Sequence, residues 1–170
     1  MPSRRLPLVT AIAAAACALA GADAGRADPP LSNASAARFF LAEVADKVHG
    51  DWEQAWESLY PAHQRVAPRT VFVRCEQALP FAAPLESLRI VRVRAAAVRV
   101  PGAARPIPGV AVTAAVELRW FGPRDPIVFR HAFHLVPVDG RWTWLLSPAR
   151  YRLYAHGGCT AARLGSPLVG

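Results

Sequence analysis

Residues 108–147 read PGVAVTAAVELRWFGPRDPIVFRHAFHLVPVDGRWTWLLS, and this stretch decides the fold. Apolar and polar side chains alternate along it with a period of two, the mark of strands with one buried face. Two turn signals divide it. Asp139-Gly140 is a favoured two-residue hairpin turn, and Gly122-Pro123-Arg124-Asp125 reads as a tight four-residue turn. Strands are therefore expected at 108–121, 126–138 and 141–147. The first turn pairs Val138 with Arg141 and puts Trp142, Trp144 and Leu146 on the face of Phe133, Leu135 and Pro137. The second pairs Phe121 with Pro126 and sets Trp120, Leu118, Val116, Ala114 and Val112 opposite Ile127, Phe129, His131, Phe133 and Leu135. Both turns send the large apolar side chains to one face. Glu117, Arg119, Arg130, His134, Arg141 and Thr143 collect on the other, with Glu117 opposite Arg130. A slip of one residue would scramble this sorting.

Upstream, residues 87–100 read as a fourth strand, less regular because Arg92, Arg94 and the Ala95–Ala97 run imply a bulge or an exposed stretch. Before residue 86 the period is helical. Ser32 to Ser35 can cap a helix that carries Ala37, Phe40, Val44 and Val48 on one stripe and ends at His49-Gly50. Asp51 and Gln54 form a capping-box pattern for a second helix, with Trp52, Ala55, Trp56 and Leu59 as its stripe and Pro61 as its stop. Pro68 opens a third, with Phe72, Cys75 and Leu79 on one face, and Pro80 ends it. The expected class is α+β: three N-terminal helices packed on the apolar face of a curved, four-stranded antiparallel meander. Residues 148–170 read as irregular.

Residues 1–24 have the form of a secretory signal. Arg4 and Arg5 are followed by an uncharged run from Leu6 to Ala20, and cleavage is expected before Gly21 or Gly25. That run is shorter than the roughly 20 residues a membrane span needs, so no transmembrane segment is expected. Arg4-Arg5 faintly matches a twin-arginine signal, and Cys17 is a minor candidate for lipid attachment. The expected location is secreted or in the periplasm and cell envelope. Residues 25–34 are a lead-in, 35–160 a single domain and 161–170 a flexible tail. With Cys17 removed, Cys75 and Cys159 remain, and in an oxidising compartment an isolated pair reads as one disulfide. The net charge is +8, but 19 of the 20 basic residues are arginines spread along the chain, so no nucleic-acid partner is expected.

The stretch from Gly50-Asp51-Trp52 through Leu59-Tyr60-Pro61 to Arg74-Cys75-Glu76 has a Trp-bearing helix, a Leu-x-Pro break and a Phe-x-x-Cys-Glu helix ahead of the sheet. This order resembles small secreted members of the nuclear transport factor 2-like superfamily, over about residues 35–155. The resemblance implies an α+β cone. That fold hosts isomerases, dehydratases and non-catalytic binding or assembly modules, so it speaks to architecture rather than activity. Enzymes of the superfamily place an Asp or His inside the cone, often with a Tyr donor. The strand register leaves His131 as the one ionisable group on the inner face, among Phe129, Phe133 and Trp120.

The expected function is that of a non-catalytic exported binding or assembly module, with a small apolar ligand in a pocket formed by Trp120, Phe129, His131, Phe133 and Trp144. A homodimer through the sheet is a further expectation. The alternative is a small isomerase or dehydratase-like enzyme using His131. No metal and no cofactor are expected, since no ligand cluster, nucleophile elbow or phosphate loop is present in the sequence.

Overall fold

The computed structural model describes residues 31–78, 84–119, 125–157 and 159. The signal segment, the lead-in before residue 31, Cys17, Leu79, Pro80 and Trp120 fall outside them. The described elements run α1 (Asn33–His49), α2 (Trp52–Glu57), α3 (Pro61–Val66), α4 (Arg69–Ala78), β1 (Leu85–Val98), β2 (Ile107–Leu118), β3 (Ile127–Val138), β4 (Arg141–Trp144) and α5 (Pro148–Ala155). The four strands form one antiparallel meander in the order β1-β2-β3-β4.

The helices differ from expectation in three ways. Ser32 caps α1 in a reciprocal box with Ser35, and Gly50 closes that helix at φ 79°. Asp51, however, makes no side-chain cap to α2: its backbone sits at ψ 58° rather than in the extended region a capping residue needs, and no box with Gln54 forms. Pro61 does not end the helical region but opens α3 from its first turn, where a missing N–H costs nothing. The break lies at Ser58–Tyr60 instead. There the chain runs beside the edge of the sheet: Trp144 N–H donates to Ser58 O (3.2 Å) and Tyr60 N–H to Trp144 O (2.9 Å), so the β4 edge is covered. Finally, the helices are not all N-terminal. Residues 148–155, expected to be irregular, form α5 after the sheet, with Ser147 accepting from Arg150 N–H and Pro148 in the first turn.

The β3–β4 hairpin pairs Val138 with Arg141 as expected, and Asp139 and Gly140 take φ of 48° and 78°, both left-handed. Between β2 and β3 the register differs from expectation by two residues. Leu118 pairs with Ile127, Val116 with Phe129, Ala114 with His131 and Val112 with Phe133. Glu117 therefore stands opposite Val128 and not Arg130, and its carboxylate accepts from Ser87 Oγ (2.7 Å). A two-residue slip leaves every side chain on its own face, so the apolar sorting that excludes a slip of one is blind to it; the last β2–β3 pair is Leu118 with Ile127, so the connection is longer than the expected four residues. The irregularity expected in β1 is a bulge: Ile90 pairs with Ala114 and Arg92 with Thr113, leaving Val91 unpaired.

The main core lies between the helices and one sheet face. Phe40, Trp52, Phe72, Val112, Val116, Leu135, Trp144 and Leu146 are buried there, with Phe129 and Phe133 half-buried beside them. The opposite face is not wholly solvated. Val98, Val100 and Val136 form a second cluster with Tyr60, Ile107 and Leu145. Thr143, which sequence places on this face, is buried and donates to Val136 O (2.8 Å). The expected disulfide is present: Cys75 on α4 is bonded to Cys159, with Cα atoms 5.3 Å apart, across 84 residues of sequence.

Candidate functional site

Ionisable side chains do enter the core, but from the helices. Glu43 and Lys47, one turn apart on α1, are both turned inward; Lys47 is the chain's single lysine. Lys47 Nζ lies 3.1 Å from Glu43 Oε1 and 3.4 Å from the centroid of the Trp144 ring, an ion pair and a cation–π contact made by one ammonium. Ser58 Oγ donates to Glu43 Oε2. Burial raises the Glu43 pKa above the usual carboxylate value, against the opposing pull of Lys47 and Ser58.

A second polar group joins α4 to α5. Arg150 Nη1 donates to Glu76 Oε1 at 2.7 Å, and Tyr154 Oη donates to the same oxygen at 2.6 Å. All three side chains are buried. Burial and the neighbouring Glu76 carboxylate push the Tyr154 hydroxyl far above its ordinary pKa, so it remains a donor.

Between the two groups is a cavity of about 50 Å³, walled by Phe40, Phe72, Phe133 and Trp144 and edged by Glu43, Lys47, Glu76 and Arg150. Arg150 Nη2 is buried with no hydrogen-bond partner among the described residues, whereas both Glu43 oxygens are engaged, Oε1 by Lys47 and Oε2 by Ser58. Such a space has room for a few water molecules, and a water oxygen is the acceptor that Arg150 Nη2 lacks.

Of the residues expected to form a pocket, Phe133 and Trp144 line this cavity. Phe129 and His131 do not. His131 pairs with Ala114 further along β3, half-buried, its ring 4.7 Å from that of Phe133. Trp120 lies outside the described residues. Sequence reasoning missed Glu43, Glu76, Arg150 and Tyr154. The one available signal was their helical spacing beside apolar neighbours, which also describes a solvated face.

His63, which sequence left without a role, is buried as a tie-piece. Leu146 N–H donates to its Nδ1 (3.0 Å), so Nε2 carries the proton toward Pro101 O (3.0 Å). Burial lowers its pKa, against the carbonyl's opposing pull.

A wider recess lies outside the core. A groove of about 620 Å³ runs between α1, the α2–α3 junction and the β3–β4 hairpin. Phe39 and Trp142 supply its aromatic wall, Arg38 and Arg141 bring two exposed cations, and Trp142 Nε1 is fixed by donating to Ser35 Oγ (2.9 Å). No family model matches the chain, and no curated protein matches it either.

Proposed function

We propose that the protein is a non-catalytic exported binding module of the α+β cone type, and that its ligand is a small, largely apolar molecule carrying one acidic group. The observation that carries this reading is the groove beside Trp142. Its volume lies in the few-hundred-Å³ range of ligand sites, whereas the core cavity holds little more than water. The aromatic wall suits an apolar body, and Arg38 and Arg141 suit a carboxylate at its end. The interior groups support binding over catalysis: Glu43 is tied to Lys47 and Ser58, and Glu76 to Arg150 and Tyr154. Export is supported by the signal pattern of residues 1–24 and is compatible with the Cys75–Cys159 bond.

The test is titration of the purified protein with decanoate and with 2-naphthoate, followed by calorimetry and thermal shift. At least one should bind, and the Arg38→Gln/Arg141→Gln variant should bind it about tenfold more weakly, the worth of roughly 1.4 kcal/mol. Absence of binding by both probes, or equal binding by the variant, refutes the assignment.

A further inference from the structure

The arginines that look dispersed in sequence are gathered by strand pairing. On the sheet face away from the helices, Arg89 of β1 stands opposite Ala115, Arg92 opposite Thr113 and Arg94 opposite Ala111. On the far side of β2, Ala115 is flanked by Arg130, Thr113 by Ala132 and Ala111 by His134. The result is a floor of small side chains along β2 between a row of three arginines on β1 and, about 10 Å away across two strand spacings, Arg130 and His134 on β3. The four arginines and His134 are exposed. Ala111 is 2% exposed, so its flanking side chains rise above it. Among the described residues none of the four arginines has a carboxylate within 4.0 Å; Glu86 is ion-paired with Arg119, and Glu117, at one end of the face, accepts from Ser87 and keeps its charge.

We propose that this face is a docking surface for a linear acidic polysaccharide, which lies along β2 with its carboxylate or sulfate groups against the β1 arginines and Arg130. Charge complementarity carries the assignment: three guanidiniums in a row on β1 and a fourth across β2, none ion-paired among the described residues, match a chain that carries anions along its length. The small side chains of Thr113 and Ala115 leave space between the arginines for such a chain. Other occupants fit less well. Among the described residues the β1 row, the β3 pair and the floor between them hold no Phe, Tyr or Trp on which nucleobases stack, and Tyr60 at the far end of this face is half-buried in the Val98–Val136 cluster. Among the described residues the large aliphatics exposed on this face are Val128 and, at the β1 bulge, Val91, too few to enter a bilayer. A second copy of the chain would bring arginine against arginine. The site is separate from the groove at Trp142, and neither depends on the other.

The experiment measures binding of the full exported protein to polygalacturonate and to dextran sulfate at about 50 mM salt, with poly-glutamate and phosphatidylglycerol vesicles as comparisons. Wild type should bind at least one polysaccharide, with affinity falling steeply as salt rises because counterions are released. Arg92→Glu/Arg94→Glu should lose about tenfold or more. Arg65→Glu/Arg152→Glu removes the same charge from exposed positions on α3 and α5 and should change affinity by less than about threefold. Circular dichroism and thermal melting confirm that both variants are folded. Failure to bind either polysaccharide overturns the proposal. So does equal weakening by both variants, which would show bulk charge only, or tighter binding of poly-glutamate or vesicles.

Discussion

Replacing Glu76 by Gln is the perturbation that asks most of this structure. The carboxylate is 4% exposed, and its partners Arg150 and Tyr154 are 7% and 3% exposed. Gln keeps the shape and an oxygen that can accept from Tyr154, but it removes the charge that balances the Arg150 guanidinium. Breaking a buried pair from one side costs about 3–5 kcal/mol, because the surviving charge is left desolvated. Arg150 is poorly placed to recover that loss, since its Nη2 already has no partner among the described residues. Against the roughly 5–15 kcal/mol a domain possesses, the variant should remain folded but be much weakened. For a domain of this length the melting temperature should fall by roughly 10–20 °C. Urea unfolding under non-reducing conditions measures the loss. The decisive arm is Glu76→Gln combined with Arg150→Met, which removes both charges and fills the space with an apolar chain. It should regain at least half of the loss, because replacing a whole buried pair is often close to neutral. A cost below about 1 kcal/mol for the single variant, or a double variant as weak as the sum of its parts, would refute a buried pair that holds α5 to α4.

Two further outcomes follow from the same interior. The Cys75→Ser/Cys159→Ser variant should lose about 4–5 kcal/mol, the chain-entropy value for a closed loop of this length and an upper figure; denaturing thiol titration of the native protein should find the pair oxidised, and two free thiols would refute it. His63 is neutral in the fold with its pKa lowered, so the folded state binds fewer protons than the unfolded chain, and stability should be full above about pH 6.5 and fall as pH drops below it, by at most about 1.4 kcal/mol per pH unit. Urea midpoints at pH 7.5 and 5.5 check this, and a His63→Asn variant that keeps the whole pH slope would contradict it.

The sheet was legible where chemistry is local. Asp139-Gly140 demands two left-handed residues, and that fixes the β3–β4 pairing outright. Cys75 and Cys159 were legible by arithmetic alone. The β2–β3 register was legible only in parity, because alternation has a period of two and every even slip preserves it; nothing in residues 108–121 distinguishes Val116 facing Phe129 from Leu118 facing Phe129. Helix α5 carried its signal openly in Ser147-Pro148, a capping residue followed by a first-turn proline. It was missed because Tyr151, Leu153 and Tyr154 form no clean stripe. The interior charges were hidden for a different reason. Glu43 and Lys47 sit one helical turn apart, a spacing equally suited to a solvated pair, and only the position of Trp144 under Lys47 makes it a buried one.

The bulge at Val91 links the core to the basic face. Residues 89 and 92 differ in parity, so in an unbroken strand Arg89 and Arg92 would point to opposite faces, as would Ile90 and Val93. One extra residue at Val91 resets the alternation. Leu88, Ile90 and Val93 then all pack on the main core, while Arg89, Arg92 and Arg94 all face away from it. The apolar side decides this outcome. With the upstream register kept, Val93 gains partial burial, and Arg92 and Arg94 avoid a core in which the buried carboxylates Glu43 and Glu76 are already paired. The cost is an unpaired ladder position and a valine that stays 40% exposed. The basic row on β1 is thus a consequence of packing the other face, and its alignment with Arg130 across β2 follows from the same register that sets Val116 against Phe129.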